Sequence, residues 1–294
     1  MKVFVTGASG FLGSAVVAAL VRAGHEVTGQ HHSERARAAL EKLGAKPVQA
    51  ELGGFARLDS LLKEQDAVVH MAADYQPPHD REAVLALLGA ARAARRPYQV
   101  VYTSGVWVLG ERPTRVAEEA STDRPAAAVA WRPGHERLVL EASGGKVTTA
   151  VIRPGMVFGG RGGLFSSWFE SAEKEGAAAF VGTGRNHFSY VHHEDLAELY
   201  RAVLEKRASG VFHGVDGRPE TVEESARAVS KAAGKGGVRA IPVEEARKTL
   251  GPLADALAMD QVVATTRAAE VGWVPRHGSF TAEAAQTVKD WRGR

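Results

Sequence analysis

The chain has 294 residues, 45% of them hydrophobic, with 37 basic and 34 acidic side chains and a formal net charge of +3. That size suits one large domain or two unequal lobes, and the interspersed charges leave no basic stripe for nucleic acid. The lack of cysteine excludes disulfides and thiolate metal sites, and no apolar run approaches the ~20 residues of a membrane span.

In chain order, Val3-Phe4-Val5 is a short apolar strand of the kind buried on both faces. A glycine turn from Thr6 to Gly13 follows at once, and Phe11, Leu12, Ala15, Val16, Ala19 and Leu20 then recur at helical spacing. The pattern predicts strands at Glu26–Gln30, Pro47–Ala50, Ala67–Met71, Gln99–Thr103 and Val147–Ile152. Helices fall at Glu34–Leu43, Phe55–Glu64, Arg81–Arg95 and Arg132–Ala142. Arg92, Arg95 and Arg96 read as a solvated helix end. Repeated βα units predict an α/β fold: a Rossmann-type doubly wound parallel sheet with helices on both faces. Beyond Arg153-Pro154-Gly155 the alternation breaks, with helices at Leu164–Lys174, Glu194–Glu205, Val222–Ala233 and Ala282–Trp291. The expected division is a dinucleotide-binding domain over 1–155, with 187–213 returning to it. Residues 156–186 and 214–294 then form a smaller C-terminal substrate lobe. A strand starting at residue 2 leaves no room for a leader peptide, so the expectation is a cytoplasmic protein.

The turn carries the first functional signal. Gly7 permits its tight backbone, Gly10 lets the main chain approach a pyrophosphate, and Gly13 lets helix and strand pack closely. The amides at Ser9, Phe11 and Leu12 and the positive end of the helix then face the phosphates. With this Gly-x-x-Gly-x-x-Gly spacing after Thr6, the chain resembles the short-chain dehydrogenase/reductase superfamily, in particular its extended and atypical epimerase/dehydratase group. The resemblance runs over nearly the whole chain.

That resemblance implies a bound NAD(P)(H). At the end of the second strand no acid occupies positions 30 to 32 to hold a ribose 2′-hydroxyl. His31, His32, Ser33 and Arg35 suit a 2′-phosphate instead, which favours NADP(H) over NAD(H). Ser33 also suits a helix N-cap. Glu51-Leu52 resembles the family's Asp-Leu pair beside the adenine. Met71, Ala72 and Ala73 resemble the small residues along which the cofactor lies, while His70 reads as a packed core histidine. Thr103 closes the fifth strand, and Pro154-Gly155 resembles the stretch at the nicotinamide end.

The chemistry is less regular. The superfamily's proton relay uses a Tyr, a Lys four residues later, and a Ser or Thr after the fifth strand. Here Trp131 and His135 stand at the Tyr and Lys positions. Gly105 aligns with the Ser/Thr position, and Ser104 lies one residue before it. An indole exchanges no proton at neutral pH. Ser104, Tyr75, Tyr190 and His135 are therefore the candidates for catalysis. Arg161, Trp168, His187 and His192 are candidate substrate contacts, with packing an open alternative for Trp168, His187 and His192. Asp195, in a segment that resembles the family's Val-Asp-Asp-Leu-Ala motif, reads as structural. No metal is expected, because His31-His32 and His192-His193 are neighbours whose side chains should diverge.

The expected partner is a small-molecule substrate, with neither nucleic acid nor membrane. Helices Arg81–Arg95 and Arg132–Ala142 resemble those of a dimer interface, which implies a homodimer and leaves a monomer open. Three functions stay open: an oxidoreductase acting on a small carbonyl or hydroxyl group with an unusual proton donor, a redox-silent NADP(H) sensor, and a cofactor-assisted isomerase or dehydratase.

Overall fold

The computed structural model describes residues 1–74, 76–121 and 124–293, and within them no side chain at 113–115. Seven parallel strands form the main sheet: β1 (Lys2–Val5), β2 (Glu26–His31), β3 (Lys46–Gln49), β4 (Ala67–His70), β5 (Tyr98–Thr103), β6 (Val147–Pro154) and β7 (Gly210–Gly214). Their order is β7-β6-β5-β4-β1-β2-β3, so the winding reverses between β1 and β4. Open parallel sheets bind ligands at such a reversal, outside the carboxyl ends of the strands.

The helices are α1 (Phe11–Arg22), α2 (Glu34–Lys42), α3 (Pro77–Ala93), α4 (Arg132–Glu141), α5 (Ser166–Glu175), α6 (His193–Glu205), α7 (Val222–Ala232), α8 (Val243–Leu250), α9 (Leu253–Ala258) and α10 (Phe280–Arg292). Alternation within β1 shows how the layers are glued. Val3 and Val5 join a core with Val16, Leu20, Leu199 and Val203 of α1 and α6. Phe4 points the other way, to Phe55, Val84 and Leu87. Each face is sealed by helices, which is why the two central strands β1 and β4 are apolar apart from Lys2 and His70 at their ends.

Two expected elements differ. The helix expected from Phe55 is a 3₁₀ turn, Leu52–Leu58, running into a short helix at Asp59–Lys63. Gly53 and Gly54 weaken helix propagation there. The third long helix starts four residues earlier than expected, because Pro77 and Pro78 fit a first turn, where no amide is needed. That extension places Asp80 inside the helix.

The smaller lobe holds an aromatic core of Phe158, Phe165, Trp168, Phe188, Tyr190 and Phe280. Phe280 lies 4.7 Å from Phe165 and 4.8 Å from Tyr190, centroid to centroid. Around it run α5, α7 and α10 and a two-stranded pair, Ala177–Val181 with Gly237–Ile241. The sequence pattern did not indicate that pair, nor α8 and α9.

Candidate active site

The Thr6–Gly13 turn follows the carboxyl end of β1, at the winding reversal. Gly7 has a φ of +61°, and a β-carbon there would sit 2.9 Å from the Ala72 amide nitrogen. One on Gly13 would sit 2.0 Å from the Gly7 carbonyl oxygen. Both positions therefore exclude any side chain, for reasons internal to the protein. Gly10 meets only the Gly7 oxygen at 3.2 Å, so its bareness leaves space for something else. Gly10 caps α1, and the first-turn amides of Phe11, Leu12 and Gly13 lack intrahelical acceptors. A diphosphate suits that cradle.

A groove of about 1060 Å³ leads away from the turn, lined by Gly7, Ser9 and Gly10, by Gln30, His32, Ser33 and Arg35, and by Glu51, Leu52 and Met71–Asp74. Most of the expected cofactor residues thus share one surface. Leu12 instead packs against the core. His31 is buried, with Nδ1 3.2 Å from the Ser33 carbonyl oxygen, and so is turned away from a 2′-phosphate. Ser33 caps α2, its hydroxyl accepting from Ala36 N–H, and it also lines the groove.

Gln30 was not singled out in the sequence. Its Oε1 accepts the Gly7 N–H at 2.8 Å, while its Nε2 donates to the Ala50 carbonyl at 2.6 Å. Position 30 thus fastens the glycine turn to the end of β3. An acid there could accept from Gly7 but could not donate to Ala50.

At the other side of the turn lies a pocket of about 260 Å³, lined by Phe11, Ser104, Gly105, Trp107, Arg132, Pro154, Gly155 and Leu164 among others. The buried Ser104 hydroxyl has no hydrogen-bond partner among the described residues. Its neighbour Thr103 is occupied from behind: Tyr200 donates to its hydroxyl at 2.8 Å, and Arg132 to its carbonyl at 2.9 Å. Gly155 is bare because a β-carbon would stand 2.3 Å from the Ser189 carbonyl. Groove, cradle and pocket together fit an extended dinucleotide.

Tyr75 lies outside the described residues. Tyr190 is fully buried, donates to Ser225 Oγ at 2.8 Å, and has its phenol pushed far up by burial. It is a core residue, corrected from the catalytic set. His135 is buried on α4, its ring 4.9 Å from that of Trp131, and its Nδ1 lies 2.6 Å from Asp80 Oδ2. Asp80 also accepts from His70 at 3.3 Å and Tyr102 at 2.9 Å. Burial alone would raise its carboxyl, but the hydrogen bonds from His135, His70 and Tyr102 prevail and hold it far below the usual carboxylate range. Nothing in the sequence flagged Asp80, which reads there as an ordinary first-turn acid.

A larger chamber of about 710 Å³ adjoins the pocket and shares Met156, Gly163 and Leu164 with it. Its walls are mainly apolar, with Trp168, Phe165, Phe180, Phe188, Leu253 and Leu257. Its one basic side chain among the described residues, Arg239, is paired with Glu175. Trp168 is thus both core and wall. Arg161 faces a separate hollow beside Ser9 and Gly10. His187 is held by Asp260, at 3.0 Å from its ring and 2.8 Å from its amide.

His192 caps α6 and stacks on His277, with centroids 3.6 Å apart. Burial, then the neighbouring His193 and His277, push its pKa down to about 3. The rings of His192 and His193 do not diverge as expected but lie 4.5 Å apart, because the strand-to-helix corner breaks the regular alternation. His192, Glu194 and His277 bring ligand-capable atoms within 4.8 Å of one another. The two rings are nearly parallel, at 22°, so their in-plane lone pairs do not meet at one point.

Among known proteins, the family model described as "NAD dependent epimerase/dehydratase family" matches residues 3–214. An uncharacterised protein of Saccharomyces cerevisiae is 31% identical over 94% of this chain and 95% of its own length. A 4-hydroxy-2-methyl-3-oxo-4-farnesyl-3,4-dihydroquinoline-1-oxide ketoreductase of Stigmatella aurantiaca is 30% identical over 84% of this chain and 78% of its own. In fold, the chain is similar to the human epimerase family protein SDR39U1, solved with NADPH. The TM-score is 0.83 at 22% identity, covering 99% of this chain and 100% of that one.

Proposed function

The chain belongs to the NAD dependent epimerase/dehydratase family, and from that membership we propose that it is an NADP(H)-dependent reductase of a ketone borne on a bulky apolar body. The observation that carries this is the unpartnered Ser104 hydroxyl, in a pocket between the dinucleotide groove and an apolar chamber. A buried hydroxyl left without a partner costs stability unless a ligand uses it, and a donor aimed at a developing alkoxide stabilises a reduction. The chamber's apolar walls and paired arginine favour a hydrocarbon body over a sugar diphosphate. The Stigmatella relative is named for a ketone of that character.

His32, Ser33 and Arg35 support the preference for NADP(H), since they bring positive charge and a hydroxyl to the groove rim. Bound NADP(H) would supply the hydride, while Gly7, Gly10 and the amides of α1 hold its diphosphate. Purified protein should therefore consume NADPH when given ketones with large apolar substituents, and act more slowly on acetone-sized ones. Loss of NADPH absorbance across such a panel is the test, and no turnover on any carbonyl would refute it. One observation favours a second reading, a dinucleotide-binding sensor: Trp131 stands where the resembled family has its tyrosine. Tight NADPH binding without turnover would select it.

A further inference from the structure

Leu164 and Leu250 stand 46% and 40% exposed, and both line the apolar chamber. Apolar surface left bare around an apolar hollow marks a place that an occupant covers. The length of that hollow follows α5. Leu164 precedes the first turn of α5 and lines the Ser104 pocket as well, whereas Glu175 is the last residue of the helix, and both line the chamber. A ten-residue helix rises about 15 Å, so the hollow extends roughly that far from the Ser104 pocket.

Ala179 marks half of that distance. Its amide donates to Oγ of Ser171, in the middle of α5, at 2.9 Å. Among the chamber residues supplied by the strand pair, Ala177–Val181 with Gly237–Ile241, it has the smallest side chain. Past this point the lining turns charged. Arg239 is the partner of Ala179 across the strand pair, and it reaches Glu175 at the end of α5. Glu175, Arg239 and Glu245 are the charged side chains that line the chamber among the described residues, and all three are exposed, so they form its rim.

Resting on the reductase reading, we propose that the protein selects its ketone by length: the substrate carries an elongated hydrocarbon body that lies along α5, from Leu164 past Ala179 to the Glu175–Arg239 rim. Each methylene inside the hollow leaves water and adds affinity, whereas one that passes the charged rim returns to water and adds none. Ala179 and the rim pair are therefore the specificity-determining residues. The bare methyl of Ala179 keeps the hollow open at half length, and the ion pair sets where it ends.

The test is calorimetric titration of the full-length protein, saturated with NADP⁺, with methyl n-alkyl ketones of increasing chain length. The dissociation constant should fall about two- to fourfold per methylene and then level off. Ala179→Phe, with its fold checked by a thermal melt, should level off at a shorter chain, and the longest chains should bind at least about tenfold more weakly than to wild type. Glu175→Leu combined with Arg239→Leu should carry the gain on to longer chains, an improvement that a misfolded protein does not show. A fused-ring ketone of equal carbon number separates the two sources of such a body: tighter binding than the chain identifies rings, weaker binding a chain. A wild-type affinity indifferent to length, or an Ala179→Phe series that levels where wild type does, would overturn the proposal. Length-dependent binding with no NADPH consumed on any ketone would sink the reductase reading and leave the length rule standing, and turnover without length dependence would do the reverse.

Discussion

A methyl group is enough to probe the cradle. At Gly13 it would have to displace the Gly7 carbonyl, from 2.0 Å to ordinary contact, so Gly13→Ala should cost about 1–3 kcal/mol and weaken dinucleotide binding together. Thermal melts with and without NADPH check both. Ser104→Ala removes a hydroxyl that nothing in the described protein engages, so the ligand-free protein should be at least as stable while kcat falls about 10²–10³-fold. A Ser104→Ala enzyme of normal rate would remove Ser104 from the chemistry. Asp80 has a pH signature. Its folded-state carboxyl is held below its unfolded value, so its contribution is complete above about pH 4 and fades on acidification. The stability gap between wild type and Asp80→Asn in urea should therefore narrow as the pH drops below about 4. Residues whose role is local, such as the glycines of the turn, were legible in the sequence. Gln30 and Asp80 were not, because each acts across strands or helices far apart in the chain, Gln30 on Gly7 and Asp80 on His135.

At the scale of elements, the strands and long helices followed from apolar spacing, while ends and corners did not. Pro77 and Pro78 look like breakers until they are placed in a first turn, and the His192-His193 corner defeats a rule built on regular strands. That corner also ties the domains. Asp195 at the start of α6 accepts the amides of Arg276 and His277 and the His277 ring, each at 3.0 Å, and its carbonyl accepts from Trp273 at 2.6 Å. Asp195→Ala would leave the Arg276 and His277 amides and the His277 ring without that carboxylate, while Trp273 keeps the backbone carbonyl, costing about 3 kcal/mol and lowering Tm by roughly 6–12 °C. His192 adds acid lability. With its folded pKa depressed to about 3, the unfolded chain takes up a proton first, so its contribution is present above about pH 6.5 and lost as the pH falls toward 3.

For the molecule as a whole, the parallel sheet, the winding reversal and the site above it form one argument. The βα rhythm implies the sheet, the sheet implies the reversal, and the glycine turn marks which strand lies there. The smaller lobe was legible only as helices, since its two-stranded pairs join segments far apart in the chain, Ala177 with Gly237 for example. Among the described residues no helix is long and apolar enough to cross a membrane. What the lobe adds to the sheet is the chamber that continues the Ser104 pocket. The dinucleotide must come first for any of this chemistry, and calorimetric titration with NADPH and NADH tests it most directly. NADPH should bind at least about tenfold more tightly, an excess that Arg35→Ala diminishes and added salt screens. Equal affinities, or tighter NADH, would contradict the assignment of the His32-Ser33-Arg35 rim, and no binding of either would contradict the account entirely.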